Sequence, residues 1–178
     1  MREIEHINLR NHLNNLSLLM SRDTATDIVI ATPLYVDGLP SQVLRLMETM
    51  SQEYRGSAKR IYVLANMGLY ESAQLINLFD AVRQWCKEIG FKYCGGLGVS
   101  AGEVIGVLMR NRIPFFTRNV IKELQRLAKG INDGAAVGEM SAELFCFPRK
   151  LYIDIANGSW KRLAKANGIK VEDLYRRL

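Results

Sequence analysis

The stretch that most constrains the fold is residues 27–42, DIVIATPLYVDGLPSQ, which has the pattern of a strand, a loop and the start of a helix. Residues 27–31 form a short, mainly apolar and partly β-branched run, which is typical of a strand buried on both faces of a parallel sheet. Thr32 and Pro33 end this run, because proline has no N–H for a sheet ladder. Pro40 precedes a run with helical apolar spacing, a common place for proline. Because α/β proteins bind ligands where loops leave the carboxyl ends of parallel strands, we expect a site in this loop.

The alternation of strands and helices continues along the first two thirds of the chain. The apolar patterns predict strands at residues 3–9, 27–31, 60–65 and 91–99, and helices at residues 13–22, 41–53 and 73–89. A second loop, residues 66–71, follows the strand at 60–65. Such alternation predicts an α/β fold with a parallel sheet of about four strands and right-handed crossovers.

The last third of the chain is predicted to be helical. Helices are expected at residues 101–109, 117–129, 149–156, 159–166 and 171–178, with a connector at 110–116, a loop at 130–138 and a break at Asn157 and Gly158. The whole chain is interpreted as one domain, with an α/β core over residues 1–116 and C-terminal helices over residues 117–178.

Composition narrows the functional class. The 178 residues are 48% hydrophobic and 24% charged, as in ordinary globular proteins, and no apolar run is long enough to span a membrane. The N-terminus lacks a signal-peptide pattern, so a cytoplasmic location is expected. The net charge of +6 comes from dispersed basic residues, which makes nucleic-acid binding a minor alternative.

Cysteine and histidine usage predicts no metal site. Cys86, Cys94 and Cys146 are irregularly spaced, as expected of reduced thiols. His6 and His12 fall in different predicted elements, so a shared metal ion is not expected.

Three stretches together resemble one protein family. TPLYVDGLPS, VLANMGLYE and WCKEIGFKYCGGLGVSAGEVIG resemble segments of the NADPH-dependent FMN reductases of the flavodoxin-like superfamily. The tail, SWKRLAKANGIKVEDLYRR, is similar to the C-terminal end of some NAD(P)H-dependent oxidoreductases of that branch. The resemblance implies a flavodoxin-like three-layer α/β/α fold with a helical C-terminal extension, FMN as cofactor, NAD(P)H as co-substrate and a small-molecule redox substrate.

By the same resemblance, FMN would lie against the two loops. The ribityl chain and ring would contact the first loop, and the ring edge would contact the second. No catalytic side chain is expected, because hydride passes between two stacked rings that the protein only positions. The expected cofactor-binding residues are Thr32, Pro33, Leu34, Tyr35, Val36, Asp37, Asn66, Met67, Gly68, Leu69, Tyr70 and Glu71.

The sequence departs from the family at one point and leaves alternatives open. Such proteins usually begin with a strand and a Ser/Gly-rich phosphate loop, and nothing of that pattern precedes Asp27. One alternative is therefore a flavodoxin-like protein that binds FMN weakly or not at all and acts through interactions. Each singled-out residue also has a structural interpretation, such as Tyr35 and Tyr70 anchoring their turns.

A dimer is expected from the same departure. Without the usual first strand and first helix, part of one sheet face would lack a cover. Large apolar patches are rarely left open to water, and a two-fold pair is the commonest way to bury one.

Overall fold

The computed structural model describes residues 4–12, 14–17 and 24–176 of the chain. One sheet of four parallel strands follows the chain order: β1 (Asp27–Pro33), β2 (Arg60–Asn66), β3 (Lys92–Val99) and β4 (Gly138–Ala142). The helices are α1 (Leu9–His12), α2 (Ser41–Glu53), α3 (Leu75–Ile89), α4 (Gly102–Arg110), α5 (Pro114–Asp133) and α6 (Arg149–Ala166), followed by a 3₁₀ helix over Val171–Tyr175.

Helices cover both faces of the sheet. Alternate β2 side chains point to opposite faces, so Ile61 and Val63 pack with α2 and α3, whereas Tyr62 packs with α5. The apolar stripes of α2 and α3 form one core cluster, and the stripe of α5 forms a second cluster across the sheet. The predicted three-layer α/β/α architecture with a helical C-terminal extension is thus confirmed.

The first strand is an edge strand, so the expectation that both of its faces are buried was wrong. Ile30 and Thr32 are buried on the face that α2 covers. On the opposite face Val29 is 42% exposed and Ala31 is exposed as well. The reason is that α5 lies over β3 and β4, and no described element covers the β1 half of that face.

The outer edge of β1 carries backbone groups that no described strand pairs. The amide of Arg60 donates to the Thr26 carbonyl at 2.8 Å, and the amide of Leu34 donates to the Asn66 carbonyl at 2.7 Å. This register directs the N–H and C=O groups of Val29 and Ala31 away from β2. Proline commonly sits on such an edge, because it has no N–H to leave unpaired there.

The fourth strand is β4 and not the predicted strand at residues 3–9, so that prediction was wrong for the described part, residues 4–9. Residues 4–8 form no strand in the structure, and α1 begins at Leu9. β4 pairs with β3 at the other edge of the sheet. Gly95 permits this pairing: its φ is +95°, and a side chain there would collide with the backbone of Gly138.

The connections between strands differ in hand. The first two crossovers pass through α2 and α3 on one face of the sheet. The third connection, from β3 to β4, leaves the carboxyl edge through α4 and returns along α5 on the other face of the sheet. The strand order nevertheless continues in the same direction across the sheet. The third connection therefore has the opposite hand to the first two, which corrects the expectation of uniform handedness.

Most helix predictions are confirmed, with changed ends. α2 has the predicted bounds, and α3 ends before Gly90, which has the left-handed φ of +86° typical of this position. α5 starts at Pro114 and extends beyond the predicted residues 117–129. The connector predicted at residues 110–116 is therefore shorter in the structure. The helix predicted at residues 13–22 falls mostly outside the described ranges.

The predicted break in the C-terminal helix was wrong. α6 runs continuously through Asn157 and Gly158, because glycine inside a helix costs only about 1 kcal/mol and the turns on either side continue. The last predicted helix is the short 3₁₀ turn, and residues 177–178 lie outside the described ranges. Among the described residues no helix has the length and apolar character needed to cross a membrane.

Candidate functional site

A cleft of about 420 Å³ opens at the carboxyl edge of the sheet, between the ends of β1 and β2. Its volume is in the range of small-molecule binding sites. Two walls come from the two loops singled out in the sequence, and the third is one side of α4. The residues that line it are Pro33, Leu34 and Tyr35, then Asn66, Met67 and Gly68, and finally Gly102, Glu103, Gly106, Val107 and Arg110.

A backbone hydrogen bond joins the two loops at the base of the cleft. The amide of Leu34 donates to the carbonyl of Asn66, which carries the pairing of β1 and β2 one step beyond the strands. The side chain of Leu34 is buried, whereas Tyr35 is 63% exposed. The first loop therefore presents an accessible aromatic ring beside a fixed backbone.

The first loop closes as a two-residue hairpin turn. Tyr35 and Gly38 exchange backbone hydrogen bonds of 3.0 Å in both directions. The two residues at the tip, Val36 and Asp37, have φ values of +47° and +58°. Positive φ is unusual for a β-branched residue, so the turn is strained at Val36, whose side chain is fully exposed.

Three of the first-loop residues expected to bind a cofactor lie away from the cleft. Thr32 is buried on the sheet face under α2, and its hydroxyl donates to the carbonyl of Pro33 at 3.1 Å. Val36 and Asp37 form the hairpin tip and do not line the cleft. The structure thus brings Pro33, Leu34 and Tyr35 to the cleft.

The second loop is held by backbone bonds to the end of β3 and the start of α4. The amide of Met67 donates to Val99 at 3.0 Å, and the carbonyls of Met67 and Leu69 accept from Gly102 and Ala101. Asn66, Met67 and Gly68 consequently line the cleft, while Leu69 lies outside it.

Tyr70 and Glu71 connect the second loop to the C-terminal part of the chain instead of facing the cleft. The hydroxyl of Tyr70 donates to the carbonyl of Phe147 at 2.6 Å, and its ring packs against Tyr152. Tyr152, on α6, in turn donates to the carbonyl of Gly68. This arrangement supports the structural interpretation of Tyr70 as an anchor of its turn.

An ion pair completes the connection between the second loop and α6. The guanidinium of Arg149 lies 2.6 Å from the carboxylate of Glu71. Its hydrogen bond lowers the pKa of Glu71 from the usual value. Burial raises the pKa of the Tyr152 hydroxyl, with the nearby carboxylates of Glu103 and Glu71 adding to the effect. At neutral pH Tyr152 is therefore protonated and available as the hydrogen-bond donor.

The sequence interpretation missed the contribution of α4. Gly102 and Gly106 are four residues apart, so both lie on one side of the helix. A side chain at Gly102 would lie 2.5 Å from the side-chain nitrogen of Asn66, so glycine lets the Asn66 side chain keep its place against the start of α4. A side chain at Gly106 would meet only open space, because this position faces the cleft.

Two signals in the sequence could have identified this wall. β3 is parallel to β1 and β2, so the element that follows it starts at the same edge of the sheet as the two loops. The paired glycines in the predicted helix then indicate a side that other groups approach closely. The apolar pattern alone predicts only an ordinary helix here.

The cleft has opposite charges at its two ends. Glu103 stands in the first turn of α4 and Arg110 is its last residue, seven positions later. Seven residues make nearly two turns, so both lie on the same side of the helix, about 10 Å apart along its axis. Neither side chain forms an ion pair within the part of the chain that the structure describes.

The rest of the described surface offers weaker candidates. No group of three metal-binding side chains occurs among the described residues. A second, more open groove lies between the end of α6 and the 3₁₀ helix, where Lys161, Lys165 and Lys170 are exposed. Its walls include Glu172 but no buried polar group, so it lacks the converging contacts of a specific site.

Comparisons with known proteins leave the family assignment open. The chain matches no protein-family model, no curated protein and no solved structure.

Proposed function

We propose that the protein is an FMN-binding oxidoreductase that uses NAD(P)H to reduce a small-molecule substrate. The observation that carries this proposal is the cleft in which Pro33–Tyr35 and Asn66–Gly68 face one another at the carboxyl edge of a parallel sheet. Both segments belong to the stretches that resemble FMN reductases.

The chemistry of the walls suits a planar ring. Tyr35 offers an aromatic face, and Gly102 and Gly106 place no side chain on the wall that α4 forms. Backbone groups around Gly68 and the amide of Asn66 can serve the polar edge of the ring, where such contacts tune its electronic properties. With these residues the protein would bind and orient the ring, and bound FMN would supply the hydride transfer.

Flavin binding can be measured with purified protein. The wild type should bind added FMN, with a shifted flavin absorbance spectrum, and NADH or NADPH should bleach that spectrum in the absence of oxygen. The double substitution Tyr35→Ala with Gly68→Val removes the aromatic wall and fills the cleft, and should weaken FMN binding tenfold or more, about 1.4 kcal/mol.

A matched control for that variant is Tyr175→Ala with Gly158→Val, which changes an exposed tyrosine and an open glycine outside the cleft. FMN affinity that is the same in both double variants would contradict the assignment of the cleft.

A second candidate is a flavodoxin-like interaction protein that works without a cofactor. It is favoured by the second loop, where Tyr70 and Glu71 are used to hold α6 and are not free for a ligand. A wild-type protein that binds neither FMN nor riboflavin would support this candidate. Nucleic-acid binding is a weaker candidate, resting on the exposed lysines of the second groove, and would be revealed by salt-sensitive binding of oligonucleotides.

We also propose that the protein forms a two-fold dimer through β1. Val29 and Ala31 expose apolar side chains on one face, and at the sheet edge they carry backbone groups that no described strand pairs. A second copy presents the same edge, so a two-fold axis beside β1 would pair the two edges and place the two apolar strips next to each other. The free thiols of Cys86, Cys94 and Cys146 support a reducing, cytoplasmic location.

A further inference from the structure

We infer that Arg110 binds the phosphate of the ligand and that the cleft therefore selects a planar heteroaromatic monophosphate over the unphosphorylated compound. This inference rests on the proposed flavin function and names the part of the ligand that each end of the cleft recognises.

Among the described residues, the cleft contains a single cationic group that could hold a phosphate. Neither loop contributes a cationic side chain to the cleft. Arg110 is the one cationic side chain among the described residues that line the cleft. A guanidinium binds phosphate oxygens through two parallel hydrogen bonds, which makes arginine well suited to this group.

The two charged ends of the cleft set the orientation of the ligand. Glu103 lies near Gly68, since a side chain at Gly68 would be 3.8 Å from the Glu103 carboxylate. A carboxylate there repels phosphate but accepts hydrogen bonds from ring N–H groups. The ring edge consequently belongs at the Glu103 end, beside the second loop, and the phosphate at the Arg110 end.

The space between the two charges is bordered by α4. Gly102, Gly106 and Val107 form the side of α4 between Glu103 and Arg110, and no polar side chain interrupts it. The separation of about 10 Å along the helix axis leaves room for a ring and a linking chain. A ligand with an N–H edge and a phosphate at its opposite ends matches this pattern.

The test compares FMN with riboflavin, which lacks only the phosphate. The wild type should bind FMN at least tenfold more tightly than riboflavin, as expected for a hydrogen-bonded charge pair. Arg110→Gln should bring the two affinities within about threefold of each other, and Arg110→Lys should keep part of the preference. Added salt should weaken FMN binding to the wild type and leave riboflavin binding unchanged.

The control is Arg112→Gln. This substitution removes an equal charge two residues away from Arg110, and Arg112 does not line the cleft. It should keep the wild-type preference. Glu103→Gln should change the affinities for both compounds by the same factor.

The outcomes separate this inference from the function on which it rests. Equal binding of FMN and riboflavin to the wild type, or an FMN preference that survives Arg110→Gln, would overturn the role of Arg110 while flavin binding stands. If neither compound binds to the wild type, the proposed function and this inference are both wrong.

Discussion

At the scale of single residues, Tyr62 shows how one buried polar group serves both packing and hydrogen bonding. Its ring is fully buried between β2 and α5, and its hydroxyl donates to the carbonyl of Ala135 at 3.1 Å. Burial raises the pKa of Tyr62 to about 12, with the neighbouring Cys94 adding to the effect. The folded protein thus keeps this proton at a pH where the unfolded chain has released it.

The stability of the protein should therefore fall at high pH. An unfolded tyrosine loses its proton near pH 10, so the contribution of Tyr62 is present below pH 10 and is lost as the pH rises toward 12. Tyr62→Phe should cost about 1 kcal/mol at pH 7 through the lost hydrogen bond, and should reduce the loss of stability between pH 7 and pH 11 by about 1 kcal/mol. Urea denaturation at the two pH values measures both effects.

Tyr175→Phe is the control for this substitution, since Tyr175 is exposed and should leave both values unchanged. The Tyr62→Phe variant will still lose some stability at alkaline pH, because burial also raises the pKa of Tyr93. An unchanged pH dependence in Tyr62→Phe would show that this hydroxyl does not contribute.

At the scale of elements, α6 determines the position of the second loop. Tyr152 donates to Gly68, and Arg149 pairs with Glu71, so the same helix contacts both ends of residues 68–71. The two contacts differ in environment: Tyr152 is buried, whereas Arg149 and Glu71 are mostly exposed. Exposed ion pairs contribute little to stability, while a hydrogen bond from a buried hydroxyl contributes about 1 kcal/mol.

We therefore expect Tyr152→Phe to loosen the second loop more than Arg149→Ala does. Amide hydrogen exchange at residues 67–71 should become severalfold faster in Tyr152→Phe and stay near the wild-type rate in Arg149→Ala. Leu151→Ala, on the exposed side of α6, controls for general effects on the helix. If amide exchange in the loop is equally slow in all these variants, its backbone hydrogen bonds to Ala101 and Gly102 are enough to hold it in place.

At the scale of the whole molecule, the uncovered half of the sheet is the basis of the proposed dimer. Val29 is exposed on the sheet face that α5 covers only in part, and Leu64 on the neighbouring strand β2 is half-buried at the border of the α5 cluster. The C-terminal helix does not close this gap, because α6 packs against α4 at the carboxyl edge. In the proposed dimer a second copy pairs with the β1 edge of this half of the sheet.

Sedimentation equilibrium at micromolar concentration should give a dimer for the wild type and a monomer for Val29→Lys. A lysine on an edge strand opposes pairing with another strand, because its charge would be buried in the contact. Ile76→Lys, on an exposed position of α3, should leave the dimer intact. A wild-type monomer would contradict the proposal, as would a dimer that survives Val29→Lys and is lost with Trp160→Lys on α6.

The sequence by itself determined the local elements that have a strong periodic signal. The apolar runs of β1, β2 and β3 and the helical stripes of α2 and α3 were predictable, because burial on a parallel sheet demands these patterns over many consecutive residues. The two loops could be placed at one sheet edge for the same reason, since parallel strands end on the same side. Six of their residues do line one cleft.

Only the tertiary structure decided which weak segments pair and what completes the site. β4 has no β-branched residue and becomes a strand because Gly95 lets its backbone approach β3, whereas residues 4–8 alternate only imperfectly and no described strand lies beside them. Likewise, Glu103 and Arg110 are ordinary surface residues in the sequence. They belong to the cleft because the backbone bonds of Met67 and Leu69 hold the start of α4 against the second loop, a long-range contact that no local pattern encodes.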